Sequence, residues 1–539
     1  MKLHIKEGVS CRIYLADPVP NHQWSIDTRL PADKCFLYNP GRIAPNQELL
    51  VDQEQAFYEY VTSQKYNTYL ATRDTTDDKE RFPLTKKIAD INKLTFLNLA
   101  ASTFISNDGI ADVYKKEGAY AKWFFERLEN GNLETTIIIN NPHSNAARDA
   151  ALSKMNPHGL KLEKDEIIQH NINTLLKFKK EHKGAKIDLY LTDICLPYGI
   201  MYAENTEDES KTYMKVDLYS PMGGQGDYRG FDNERPSFYL MRNNPDTSMV
   251  CGKFLDVIDR VKNDKKRTKH YTGKNLKWLL KKPIIHRGRF SRYLPEHSVR
   301  GYFACISNRY PMEIDILFLK DQTMLVGRDE VVIHKETNEK RRLSELTIEQ
   351  IRAMKTDEYY SINQTELKYK FEELMTIDEL LALVNGKVGL VIELKIDAEA
   401  DHSTYERVAK SIISSLRYYE GDYCIHAANP YVLRAIRELD ETIILGQISW
   451  SFDKTDISEQ YRKIHTDITF MKINTPDFIS YKISEVRDND NLMQLCNNKE
   501  QPLPLLTWTI LNKEDEEIFR KLNIVQKNVI IEGAPTYMN

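Results

Sequence analysis

The run Tyr310–Leu319, YPMEIDILFL, sets two carboxylates, Glu313 and Asp315, two residues apart in an otherwise apolar stretch. Side chains alternate between the faces of a strand, so both acids point the same way. Two like charges on one face of a buried strand are costly unless a cation compensates them. A divalent ion held by oxygen ligands would do so. The run Val388–Ile396, VGLVIELKI, repeats the pattern, with Glu393 and Lys395 on one face of a second apolar strand. A third carboxylate and an ammonium can then converge with the first pair on one mouth of a barrel.

Six further apolar runs complete the set downstream of Pro283. They are PIIHRG, DYCIHAA, TIILGQIS, ITFMKIN, PLLTWTIL and VIIEGAP, separated by helical patterns or loops. Eight strand–helix units in about 250 residues are the proportions of a TIM (β/α)8 barrel. The first of them ends in His286, Arg287 and Gly288. Glycine permits a tight turn or a close backbone approach to a ligand. Arginine offers a planar fork suited to phosphate, and histidine is the usual acid or base near neutral pH. The combination suggests phosphate-ester chemistry.

Upstream, strand-like runs (Leu94–Ser102, Thr135–Asn140, Lys186–Asp193, Thr212–Ser220) alternate with helical patterns, one of them from Asp165 to about Glu181. This alternation predicts an α/β domain with a largely parallel sheet. Residues 1–92 are less regular and are expected as a lead-in or subdomain, with a helix around Leu49–Ser63. The α/β domain then covers 93–258, a Lys- and Arg-dense linker 259–283, and the barrel 284–539. The Gly-rich stretch Ser220–Asp232 lacks the strand–turn–helix context of a phosphate loop and reads as a mobile loop.

The chain of 539 residues has a net charge of −4, which supplies no global field toward nucleic acid or membrane. The linker lacks the aromatic interleaving of a stacking surface, so there is no strong nucleic-acid signal. The start of the chain holds no signal-peptide core, and no apolar run reaches the length of a membrane span. Seven cysteines, far apart and without a CxxC pair, argue for reduced thiols in a cytoplasmic protein and against a zinc or disulfide framework.

The segment from Ile284 onward resembles the glycerophosphodiester phosphodiesterase family. The matching stretches, in order, are HRG (His286–Gly288), PEHS (Pro295–Ser298), EIDILFLKDQ (Glu313–Gln322), LSELTIEQIRAM (Leu343–Met354), IELK (Ile392–Lys395), LLTWTILNKED (Leu505–Asp515) and VIIEGAP (Val529–Pro535). The resemblance implies a TIM barrel with its site at the carboxyl ends of the strands. It implies a divalent metal, Mg2+ or Ca2+, held by Glu313, Asp315 and Glu393, with His286 as acid or base. Arg287, Lys395, Glu296 and Trp508 would then face the phosphate and the rest of the substrate, a phosphodiester small molecule or lipid headgroup.

One departure stands out. The family's second histidine falls in a His-Asp pair where this chain has Arg328-Asp329. Arginine cannot transfer a proton at ordinary pH, but it can stabilise phosphoryl charge. His334, downstream of Arg328, is a candidate substitute for that histidine; His297 and His426 are further candidates that read rather as structural or exposed. The resulting expectation is a metal-dependent phosphodiester hydrolase with Arg328 in its catalytic set, in a bacterial multidomain protein regulated by its N-terminal half. The alternative is a degenerate barrel that binds a phosphodiester or nucleotide as a sensor. The N-terminal half resembles, more faintly, the phospholipase D-like fold without its catalytic motif. Oligomerisation is left open.

Overall fold

The structure is a computed structural model. It describes residues 68–72, 90–99, 101–105, 118–144, 164–196, 198–218, 236–243, 245–291, 293–362, 365–398, 400–451 and 457–533. The expected helix around Leu49–Ser63 and the Gly-rich stretch Ser220–Asp232 lie outside the described residues. The chain divides into two compact units between Thr272 and Gly273.

Among the described residues, the N-terminal unit holds eight strands: β1 (Thr68–Thr72), β2 (Lys93–Asn98), β3 (Glu134–Asn140), β4 (Lys186–Thr192), β5 (Tyr198–Glu204), β6 (Tyr213–Leu218), β7 (Pro236–Met241) and β8 (Thr268–His270). They form one sheet in the order β1-β7-β6-β5-β2-β3-β4-β8. Among the described strands, only β2–β3 and β3–β4 pair in parallel. The remaining neighbours run antiparallel. The expectation of a largely parallel sheet is therefore corrected. Parallel neighbours need a crossover, and helices Gly118–Glu129 and Lys164–Glu181 supply it only between β2, β3 and β4. A short connection joins β5 to β6 and turns the chain straight back.

The expected linker 259–283 is also corrected. Asp259 lies within helix Pro245–Asn263, and β8 pairs with β4. Beyond the unit boundary, Leu276, Trp278 and Leu279 pack on the apolar layer inside the C-terminal barrel, with Leu279 fully buried. Gly389 makes room for this plug, since a Cβ there would lie 2.4 Å from the Trp278 ring. The lysines that suggested a solvated linker are interleaved with these apolar residues.

The C-terminal unit is a TIM barrel. Its parallel strands are β9 (Ile284–Ile285), β10 (Met312–Phe318), β15 (Leu390–Leu394), β16 (Tyr423–Ala427), β17 (Leu445–Ser449), β18 (Phe478–Lys482), β19 (Leu505–Ile510) and β20 (Lys527–Ile531), closed by pairing of β9 with both β20 and β10. Between β10 and β15 the chain makes an excursion. It carries β11 (Met324–Val326), which pairs antiparallel with β10, and a small sheet of β12 (Val331–His334), β13 (Lys340–Arg342) and β14 (Tyr359–Ser361). Alternation sorts the barrel residues. Met312, Ile314 and Ile316 join the helices in the outer core. Val391, Cys424, Ile444, Phe478, Leu506 and Ile530 form the apolar interior layer above the plug.

The expected strand ITFMKIN is not one. Ile468 has a left-handed φ of 56°, Met471–Asn474 is a helical turn, and the sixth barrel strand is Phe478–Lys482. Alternation over so short a run does not separate strand from helix. Asp477 fixes the start of the true strand by accepting hydrogen bonds from Leu445 N (2.9 Å), Arg437 Nη2 (2.7 Å) and Lys274 Nζ (2.9 Å).

Two predictions arise from this packing. Gly446 faces the Phe478 ring, and a Cβ there would approach Cζ to 2.1 Å. Gly446→Ala is therefore expected to destabilise the barrel by about 1–3 kcal/mol through overpacking. Denaturant unfolding checks it, and an unchanged midpoint would mean that the ring can give way. His465 is fully buried, with Nδ1 3.2 Å from Ser449 Oγ, and burial pushes its pKa down to about 3. Its unfolded value is about 6.5. The unfolded chain thus binds more protons below that pH, and stability falls as pH drops from 6.5 toward 3. His465→Gln should flatten that part of the stability–pH curve, and equal slopes in both proteins would refute the assignment.

Candidate active site

The HRG turn follows directly from β9. Arg287 adopts left-handed angles (φ 52°, ψ 30°), and Gly288 has φ +64°. A Cβ on Gly288 would lie 2.6 Å from the Tyr302 ring, so glycine lets helix Val299–Asn308 close on the turn. The PEHS stretch starts that helix, with Ser298 accepting from Gly301 N at 3.1 Å. It also turns Glu296 and His297 beneath Arg287.

Arg287 ties the acids together. Its backbone N–H donates to Glu313 Oε2 (3.1 Å), its Nε to Asp315 Oδ2 (2.9 Å) and its Nη1 to Glu296 Oε2 (2.8 Å). Burial alone would lower the guanidinium's pKa, but Asp315, Glu296 and Glu313 more than offset this and hold it above its ordinary value. Asp315 also meets Lys395 Nζ (3.1 Å) and His297 Nε2 (3.2 Å). Its burial acts to raise its pKa, but Lys395, Arg287 and His297 outweigh it and hold the carboxyl well below the usual range. His297 is fully enclosed, with Nδ1 3.3 Å from the Tyr302 hydroxyl, so its role is to brace Asp315.

Glu313 is different. It is 1% exposed, and the side-chain nitrogen in ion-pair range among the described residues is His286 Nε2 at 3.9 Å. Burial, reinforced by Asp315 and Glu393, pushes its carboxyl well above the usual range. Burial also raises Glu393, although Lys395 bonds to it and offsets part of the effect. The barrel register sets Asp315 beside Glu393 and Glu393 beside His426. Ligand atoms of Glu313, Glu393 and His426 all lie within 4.8 Å of one another.

His286 sits at the edge of this cluster, with Nδ1 3.5 Å from Glu532 Oε1. Burial lowers its pKa, and the bond to Glu532 only partly offsets that. The interaction with His286, helped by Arg289 at 3.0 Å, pulls Glu532 down to about 2. Glu532 was not among the candidates; its signal was an acid just past the last apolar strand. His426, read from sequence as structural or exposed, is buried but points into the cluster.

The other candidates lie further out. Trp508, on β19, stands edge-to-face with Trp450, ring centroids 5.7 Å apart. Arg328 is exposed beyond β11. Its neighbour Asp329 is bonded to Tyr369, and burial raises its carboxyl pKa. His334 faces away, its Nδ1 accepting from Glu336 N and Thr337 N, both at 3.3 Å.

A parallel barrel that gathers acids, two cations and a histidine at the carboxyl ends of its strands has the parts for hydrolysing phosphoric esters. Residues 286–527 match the family model described as the glycerophosphoryl diester phosphodiesterase family. Similar solved structures include a putative glycerophosphoryl diester phosphodiesterase from Silicibacter pomeroyi (18% identity, 48% of this chain and 94% of that one, TM-score 0.38). A phosphodiesterase from Oleispira antarctica, in complex with the product sn-glycerol-3-phosphate, has 15% identity, 47% and 94% coverage and a TM-score of 0.36. A glycerophosphodiester phosphodiesterase from Thermotoga maritima has 15% identity, the same coverages and a TM-score of 0.33. No curated protein matches the chain at a significant level. The phospholipase D-like resemblance of the N-terminal half finds no support in these comparisons.

Proposed function

We propose that the C-terminal barrel hydrolyses a glycerophosphodiester with the help of a divalent cation held by Glu313 and Glu393. The observation that carries this reading is Glu313, a buried carboxyl that faces a second acid and lacks the cations its neighbour Asp315 enjoys. Such a group must either take up a proton or gain a cation. A bound divalent ion would neutralise charge on the phosphoryl oxygens and orient the diester.

The chain's own residues do the rest. With its Nδ1–H directed at Glu532, His286 keeps a lone pair on Nε2, on the side of Glu313. That nitrogen takes the proton of the attacking hydroxyl as its oxygen bonds to phosphorus; the opposite P–O bond breaks, and the departing alkoxide takes its proton from water. The Lys395 side chain, 32% exposed, can turn its ammonium to a phosphoryl oxygen. Arg287 already spends two arms of its fork on Asp315 and Glu296, so it acts chiefly by fixing the acids. Arg328 adds positive charge at the rim, and Trp508 walls the substrate's alcohol portion.

The test is a panel of glycerophosphodiesters, lysophospholipids and cyclic nucleotides, supplied with Mn2+, Mg2+ or Ca2+ and followed by release of phosphomonoester. Turnover of at least one glycerophosphodiester is expected. Tight binding without turnover of any diester would favour the sensor reading.

A further inference from the structure

We propose that His426 donates an imidazole nitrogen to the same cation, so that the barrel takes a transition ion such as Co2+ or Zn2+ in preference to Mg2+ or Ca2+. This rests on the cation site proposed above and adds to it the ligand that decides which ion binds.

His426 is 1% exposed, and neither ring nitrogen has a hydrogen-bond partner among the described residues. A neutral imidazole always carries one N–H and one lone pair. Burying both without partners is costly. The surroundings explain why the ring is tolerated and where it looks. On one side, Gly446 is its register neighbour and offers no side chain. The Phe478 ring, centred 6.3 Å away, lies across that glycine and offers only carbon. On the other side its register neighbour is Glu393. A ring nitrogen and carboxylate oxygens of Glu313 and Glu393 lie within 4.8 Å of one another. Glu313 Oε1 is likewise buried without a hydrogen-bond partner.

Three donors from three successive strands thus surround one point, two of them with unsatisfied atoms. Asp315 does not belong to this group of close ligand atoms; Arg287, Lys395 and His297 surround its carboxylate instead. The donor chemistry then sets the preference. Mg2+ and Ca2+ favour oxygen ligands throughout. An imidazole joined to carboxylates suits Zn2+, Co2+ and their neighbours.

The test uses the full-length chain stripped of metal, titrated calorimetrically with Co2+, Mg2+ and Ca2+, with the visible absorption of bound Co2+ recorded. Wild type is expected to bind Co2+ at this site more tightly than Mg2+ or Ca2+. His426→Gln should weaken Co2+ by at least about tenfold, a loss seen even for outer partners of a metal ligand. It should change the Co2+ spectrum and leave Mg2+ affinity alone; His426→Asn serves if the glutamine variant does not fold. Unchanged Co2+ affinity and spectrum in the variant would overturn the inference while leaving the carboxylate site standing. Parallel loss of Co2+ and Mg2+ would also overturn it, because a general disturbance of the pocket would then explain both. Failure of wild type to bind any of the three ions would remove this inference and the metal part of the proposed function together.

Discussion

Arg287→Met is expected to lower the barrel's folding stability by about 3–5 kcal/mol, the usual cost of removing one partner from a buried ion pair. The side chain is 9% exposed and holds Asp315 and Glu296 at hydrogen-bond distance, and both carboxylates are almost fully buried. Without the guanidinium, Glu296 retains Lys368, whose ammonium is 3.4 Å away on a half-exposed side chain. Asp315 retains Lys395 and His297. Arg287→Lys should recover only part of the loss, because an ammonium cannot present two parallel arms to two acids. The check is the denaturant midpoint of the barrel transition in the full chain. A shift worth less than about 1 kcal/mol would mean that the carboxylates do not depend on this residue.

His286→Ala is expected to lower kcat on a glycerophosphodiester by about 10²–10⁴-fold, or roughly 3–5 kcal/mol of barrier, with the fold retained. Its close polar neighbours are Glu532 and Glu313, and the ring reaches solvent, so no buried ion pair collapses when it is removed. Steady-state rates, with circular dichroism as the folding control, decide the matter. A loss confined to KM would make His286 a binding group and leave the proton transfer to another residue.

Much of the barrel could be read from the chain because parallel strands buried on both faces are continuous apolar runs. ITFMKIN failed because its apolar residues fit a helical turn as well as a strand. The basic stretch before the barrel failed because its lysines hid Leu276, Trp278 and Leu279, whose burial depends on a cavity formed by strands far away in sequence. In the N-terminal unit, alternation of strands and helices could not reveal that β5 folds back antiparallel on β2.

The site shows the same division. Glu313, Asp315, Glu393 and Lys395 stand out because charge at period 2 inside an apolar run is physically anomalous. His426 does not stand out, since a lone histidine in CIHAA looks like any core histidine. Only the register between β15 and β16 sets it beside Glu393. Glu532, an acid just past the last apolar strand, gains its meaning only when closure of the barrel brings β20 to β9.

The central claim is that Glu313 and Glu393 hold a cation on which phosphodiester hydrolysis depends. The most direct measurement is the rate of glycerophosphodiester hydrolysis by the full chain after chelation and after return of each ion, in wild type and in Glu313→Gln. No turnover is expected after chelation, with recovery in wild type on adding back a divalent ion and no recovery in the variant at concentrations that saturate wild type. Equal rates with and without chelator, or full recovery in Glu313→Gln, would contradict the claim.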